Sequence, residues 1–68
     1  MRAIRQETMT TFINEDWNIR VWIEPCASGG YWTRVAPANE KYLGKSTGDH
    51  RDKTLREAVT RAMAIAGL

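Results

Sequence analysis

The clearest alternation of apolar and polar residues lies between Trp17 and Glu24. One set of alternate positions carries Trp17, Ile19, Val21 and Ile23, and the other carries Asn18, Arg20, Trp22 and Glu24. A period of two, rich in β-branched and aromatic residues, predicts a half-buried strand. A second alternating run, from Tyr31 to Val35, follows Pro25 and the turn-forming residues Ser28, Gly29 and Gly30. The two runs therefore predict a β-hairpin.

The segments on either side of this hairpin have weaker patterns. Residues 1–16 contain three threonines and little periodicity, so we expect an extended or flexible N-terminal segment, or an added edge strand. After a turn at Pro37–Glu40, a short third strand is predicted from Lys41 to Ser46. Thr47 to Arg51 is predicted to be a polar loop.

A C-terminal helix is the most strongly predicted element. Thr54 and Glu57 have the spacing of a capping box, and Gly67 is suited to end the helix in a left-handed conformation. Apolar residues recur between them at helical spacing, at Leu55, Ala58, Val59, Ala62, Met63 and Ala66. The small alanines would let this helix approach a sheet closely.

These elements predict an α+β fold in which a three-stranded antiparallel sheet packs on one C-terminal helix, in the order β-β-β-α. The chain has 68 residues, enough for one domain with a thin core, which we place at residues 17–68. A single helix covers only one side of a sheet, so the second face of this two-layer structure is expected to be open.

The composition of the chain excludes several kinds of site and of cellular location. Cys26 and His50 are the only cysteine and histidine, so an internal disulfide and a Cys/His zinc site are both excluded, and no cofactor is expected. The chain lacks the roughly 20 apolar residues of a membrane span and the apolar run of a signal peptide. We therefore expect a cytoplasmic protein. A net charge of +2 permits contact with nucleic acid without requiring it.

Several short motifs resemble one family. The run Ile23-Glu24-Pro25, the turn and strand Gly29-Gly30-Tyr31-Trp32 with Val35, the pair Gly48-Asp49 and the helix from Thr54 to Ala66 look like the HicB-type antitoxin domain, over roughly residues 19–66. The closing helix is also similar to that of small phage and prophage proteins of the α/β sandwich type. Both resemblances imply a compact protein of a phage or mobile element that binds and restrains another molecule.

The predicted outer face of the hairpin carries the candidate partner-binding residues, which are Arg20, Trp22, Trp32 and Arg34. If Trp22 and Trp32 pair across the strands, Arg20 and Arg34 pair two residues further along. Tryptophan and arginine are the residue types most enriched at binding hot spots. Three interpretations stay open: docking onto a larger protein, self-association as a homodimer, and cover by the N-terminal segment.

The sequence also contains residues suited to nucleic-acid binding and one cluster suited to catalysis. Aromatic and arginine side chains on a sheet also suit RNA or single-stranded DNA, and a basic cluster offers candidate nucleic-acid contacts at Lys41, Lys45, Arg51, Lys53, Arg56 and Arg61. For catalysis, Asp49-His50 with Asp52 is the one cluster to test, and Cys26 has no evident base and is interpreted as a plain thiol. We therefore predict a non-enzymatic inhibitor or modulator, antitoxin-like or anti-defence in type, with a small nucleic-acid-binding module as the alternative.

Overall fold

An antiparallel meander of five strands packs against one C-terminal helix. The computed structural model describes residues 4–39 and 47–68, with the backbone alone at 5, 7 and 47–50. The elements are β1 (Ile4–Thr8), β2 (Thr11–Asn14), β3 (Ile19–Pro25), β4 (Tyr31–Pro37), β5 (Thr47–Asp52) and α1 (Leu55–Ala66). The α+β class and the antiparallel sheet on a single C-terminal helix are thus confirmed, and so is the hairpin of β3 and β4.

The sheet has more strands than the sequence pattern predicts. The N-terminal segment supplies β1 and β2, and β2 pairs with β3 through Phe12 opposite Val21. The segment from Thr47 to Arg51, predicted to be a polar loop, instead belongs to the edge strand β5, which is paired with β4. An edge strand is held by its backbone ladder on one side, so it needs no apolar alternation. The predicted strand from Lys41 to Ser46 lies outside the described residues.

Both ends of α1 have the predicted caps. The Thr54 hydroxyl accepts a hydrogen bond from the Glu57 amide at 3.2 Å, and the Glu57 carboxylate accepts one from the Thr54 amide at 3.2 Å. At the other end, Gly67 has φ 91° and its amide donates to Ala64 O, while the amide of Leu68 donates to Met63 O at 2.8 Å. This pair of bonds is a Schellman motif. The motif requires a residue with positive φ, which glycine adopts without steric cost because it has no Cβ.

The core lies between α1 and one side of β2, β3 and β4. Ala58, Ala62 and Ala66 have no exposed surface and pack on Phe12, Val21 and Ile23. The buried stripe is therefore centred on the alanines, with Val59 and Ile65 beside it. Leu55 and Met63, predicted to belong to the stripe, are 42% and 38% exposed because they lie at its margins.

Asn14 joins the end of the helix to the end of β2. Its Nδ2 donates to the carbonyl oxygen of Ala66 at 2.8 Å, and its Oδ1 accepts from the amide of Trp17 at 3.1 Å. The Trp17 ring lies so close to Gly67 that a Cβ there would come within 2.7 Å of it. Trp17 thus lies on the turn between β2 and β3 and packs on the helix terminus, with 59% of its surface exposed.

Candidate binding face

The alternation along β3 and β4 divides their side chains between the two sides of the sheet. Val21 and Ile23 point toward α1, as do Tyr31 and Val35. The intervening residues therefore point away from the helix. We call their surface the outer face, and define it by six residues: Arg20, Trp22, Glu24, Trp32, Arg34 and, from β5, Arg51. The four residues predicted to bind a partner, Arg20, Trp22, Trp32 and Arg34, all lie on this face, and all four are half-buried.

The register differs from the predicted one by two residues. Trp22 lies directly opposite Arg34, and Trp32 lies opposite Glu24, because Pro25 pairs with Tyr31 across the hairpin. The predicted direct pairing of Trp22 with Trp32, and of Arg20 with Arg34, is therefore wrong. The two indoles are instead diagonal neighbours, at about 7–8 Å between Cα atoms for such positions. The five-residue connection from Cys26 to Gly30, closed by a 2.9 Å bond from the Cys26 amide to Gly30 O, sets this register.

Each indole of the outer face has an arginine opposite it on the next strand. Trp22 on β3 faces Arg34 on β4, and Trp32 on β4 faces Arg51 on β5. The second pair could not be predicted from the pattern of residues, because it depends on β5 being a strand. The outer face therefore carries the same tryptophan–arginine pairing twice, once between β3 and β4 and once between β4 and β5.

Arg34 is held in place by two neighbours. Its Nε donates to Glu24 Oε1 at 2.9 Å, with the side chains 33% and 50% exposed. Its Cζ atom lies 5.8 Å from the centroid of the Trp32 ring, within the range of a cation–π contact. An exposed ion pair contributes little to stability. Its effect here is to orient the guanidinium alongside the indole.

The described backbone of the N-terminal segment lies beside β3 rather than over the outer face. Strands β1 and β2 extend the sheet sideways, with β2 paired to β3 and β1 paired to β2. Near Arg20, its direct neighbours across the sheet, Ile13 and Ala36, are 1% and 5% exposed. The face is therefore closed around Arg20 and more accessible toward Arg51, which is exposed.

The turn between β3 and β4 gives Cys26 polar neighbours that the sequence does not reveal. The Cys26 sulfur lies 3.1 Å from Ser28 Oγ, which also accepts a hydrogen bond from Arg51 Nη1 at 3.1 Å. Hydrogen bonds from Ser28, with smaller contributions from Trp32 and Arg51, lower the pKa of the Cys26 thiol to about 7. The thiol of Cys26 therefore has polar neighbours that favour its thiolate form, which the sequence pattern does not indicate.

The predicted basic cluster is divided among several surfaces. Arg51 belongs to the outer face, whereas Arg56 and Arg61 lie on α1, on the other side of the sheet. Arg61 is engaged by Asp52, with Nε to Oδ2 at 2.8 Å and Nη2 to Oδ1 at 3.2 Å. That hydrogen bonding raises the pKa of Arg61 further above its ordinary value. Lys53 is exposed just before the helix, while Lys41 and Lys45 lie outside the described residues.

Of the candidate catalytic cluster Asp49, His50 and Asp52, the structure describes the side chain of Asp52 alone. Asp52 forms the bidentate ion pair with Arg61, and the side chains of Asp49 and His50 lie outside the description. Within residues 4–39 and 47–68, no group of three or more potential metal ligands is found among the described side chains. In the same ranges, no helix is both long and apolar enough to cross a membrane.

A groove of about 640 Å³ runs along α1 beside β5. Its lining includes the ion-paired side chains of Asp52 and Arg61 together with Arg56, Thr60 and Ile65. Both signs of charge are present in the groove, and its Arg61 and Asp52 side chains are already bonded to each other. The outer face therefore concentrates more of the binding chemistry than this groove does.

Comparison with known proteins gives this chain no relative from which a function can be transferred. No protein-family model matches it, and neither a curated protein nor a solved structure shows significant similarity to it.

Proposed function

We propose that the chain is a small non-enzymatic binding protein that docks its outer face onto a larger protein and thereby inhibits or modulates it. An antitoxin-like neutraliser and an anti-defence inhibitor both fall within this proposal. The observation that carries it is the position of Trp22 and Trp32, which lie half-buried beside arginines on the side of the sheet opposite α1.

The chemistry of the outer face suits protein recognition. Tryptophan and arginine are enriched at the few interface positions that carry most of the binding energy. Each buried aromatic ring removes on the order of 150–250 Å² from water. A small protein that blocks an interface or an active site needs no catalytic group of its own.

The face is also ordered before it binds. Trp22 and Trp32 lie on paired strands, and Arg34 is fixed by Glu24 and by the Trp32 ring. Immobilising a flexible side chain costs about 0.5–1.5 kcal/mol on association, so groups that are already oriented lose less on binding.

The test separates binding from folding. Trp22→Ser and Trp32→Ser are compared with Trp17→Ser, which changes the same residue type on the turn away from the face. Each variant is used to capture proteins from a lysate of the source organism, quantified by mass spectrometry, and its urea denaturation is measured in parallel.

We expect at least a tenfold loss of one specific captured protein for the two face variants, with a folded domain, and retention of that protein by Trp17→Ser. Face variants that unfold without any selective loss of capture, or an equal loss in all three variants, would contradict the proposal.

Binding of single-stranded nucleic acid is the second candidate, favoured by the repeated indole–guanidinium arrangement of Trp22 with Arg34 and Trp32 with Arg51. Bases stack on aromatic rings, and arginines contact phosphates. Contacts from Arg34 and Arg51 would give a slope of about −1.4 for the logarithm of the binding constant against the logarithm of salt concentration. A flat salt dependence with mixed oligonucleotides removes this candidate.

A further inference from the structure

We infer that the partner presents carboxylates to the outer face, set between apolar side chains that receive the indoles. This inference rests on the proposed function and specifies the chemistry of the surface that is bound. The arrangement of charge around Trp22 and Trp32 is the observation from which it is drawn.

The outer face presents one exposed guanidinium group that no described carboxylate is shown to contact. Arg51 is exposed and donates to Ser28 Oγ, whereas Arg34 is bonded to Glu24, and Arg20 lines a cavity with Glu15 at the closed end of the face. Arg34, Arg51 and Glu24 together leave a net positive charge beside Trp22 and Trp32. Guanidinium groups form paired hydrogen bonds with carboxylates, and complementary charge speeds association and selects partners.

The position of Glu24 favours a protein over a phosphate polymer. Glu24 is 50% exposed, lies directly opposite Trp32, and contacts Arg34. A nucleic-acid strand carries a negative charge at every nucleotide, so a strand stacked on both indoles would pass its phosphates close to this carboxylate. A protein surface can instead place one carboxylate near Arg51, at the exposed side of the face, and an apolar group over Trp32.

Defined peptides test this chemistry directly. The probe is a twelve-residue peptide with the repeat Glu-Phe-Glu-Pro, compared with its glutamine counterpart and with a twelve-nucleotide oligothymidylate. Binding is followed by NMR through the indole N–H signals of Trp17, Trp22 and Trp32, assigned with single Trp→Phe variants. Titrations are done at low salt and repeated at 0.3 M NaCl.

We expect the glutamate peptide to shift the signals of Trp22 and Trp32, with a Kd at least tenfold lower than that of the glutamine peptide, and to leave Trp17 unmoved. High salt should reduce this preference. The double variant Arg34→Gln/Arg51→Gln should abolish it. The matched variant Lys53→Gln/Arg56→Gln removes the same charge from exposed positions elsewhere and should preserve it.

The results that would contradict this inference can be told apart from those that would contradict docking by the outer face. Equal binding of both peptides at Trp22 and Trp32 overturns the inference about carboxylates and leaves docking by the face intact. Tighter binding of oligothymidylate than of the glutamate peptide overturns it in favour of nucleic acid. An absence of shifts at Trp22 and Trp32 with the glutamate peptide also overturns it, and the capture experiment with the tryptophan variants then decides separately whether the face docks at all.

Discussion

Replacing Asn14 with alanine should destabilise the fold more than any other polar substitution among the described residues of β2. Asn14 is 3% exposed and makes two hydrogen bonds, one to the carbonyl oxygen of Ala66 and one from the amide of Trp17. No other described side chain is shown to donate to that carbonyl. Alanine removes both bonds at the point where the helix terminus meets the sheet.

The magnitude follows from the burial of these groups. A buried polar group left without its partner costs about 1–3 kcal/mol, so we expect a loss of about 2 kcal/mol or more. For a chain of 68 residues the total stability is about 3–10 kcal/mol. The substitution therefore removes a substantial fraction of the free energy of unfolding.

The assay is urea denaturation followed by circular dichroism. With an m-value of about 1 kcal/mol/M, the midpoint for Asn14→Ala should fall by roughly 2 M. Asn14→Asp keeps the acceptor for the Trp17 amide but replaces the donor to Ala66, so it should be at least as damaging. Asn39→Ala is the control, because Asn39 is exposed and bonds only to Asn18 among described residues. A midpoint for Asn14→Ala within 0.3 M of the unchanged protein would refute the reasoning.

Three further predictions follow from local geometry. Thr33→Val should raise stability by about 1 kcal/mol in urea, since Thr33 Oγ1 is buried with no hydrogen-bond partner among the described residues, whereas Thr33→Ser should not. Gly30→Ala should lower stability more than Gly29→Ala, because only at Gly30 would a Cβ meet the backbone oxygen of Asp52, at 2.6 Å; equal effects would contradict this. Alkylation of Cys26 by iodoacetamide should accelerate as pH rises, with a midpoint near 7, and Ser28→Ala should move that midpoint upward; an unchanged midpoint would contradict the assigned cause.

The helix and the central hairpin could be predicted because their signals are local. Thr54 and Glu57 form their capping box within one turn, and Gly67 ends the helix through bonds to residues just before it. The alternation from Ile19 to Glu24 likewise assigns each side chain to one side of the sheet. None of these features depends on distant parts of the chain.

The remaining strands depend on pairing, which the pattern does not encode. The threonine-rich segment around Thr8 and Thr11 becomes strand because β2 has β3 beside it, and Phe12 then reaches the core. Thr47–Asp52 is polar throughout, and the ladder to β4 makes it a strand. The backbone supplies the hydrogen bonds in both cases.

The binding face was predictable as a set of residues but not as an arrangement. Alternation alone puts Trp22 and Trp32 on the same side, yet their register depends on how the Cys26–Gly30 connection closes. Alternation does not assign Arg51 to this face, because its strand exists only through pairing with β4. The contact of Arg34 with Glu24 likewise depends on the register of β3 and β4, which alternation leaves open.

Site-specific photo-crosslinking tests most directly whether the side of the sheet opposite α1 meets a protein partner. The photoreactive residue p-benzoylphenylalanine is placed at Trp32 in one sample and at Thr60, on the exposed surface of the helix, in another. After irradiation in a lysate of the source organism, we predict a discrete crosslinked protein from position 32 and none from position 60. A crosslink from position 60 alone, or the same products from both positions, would contradict the account.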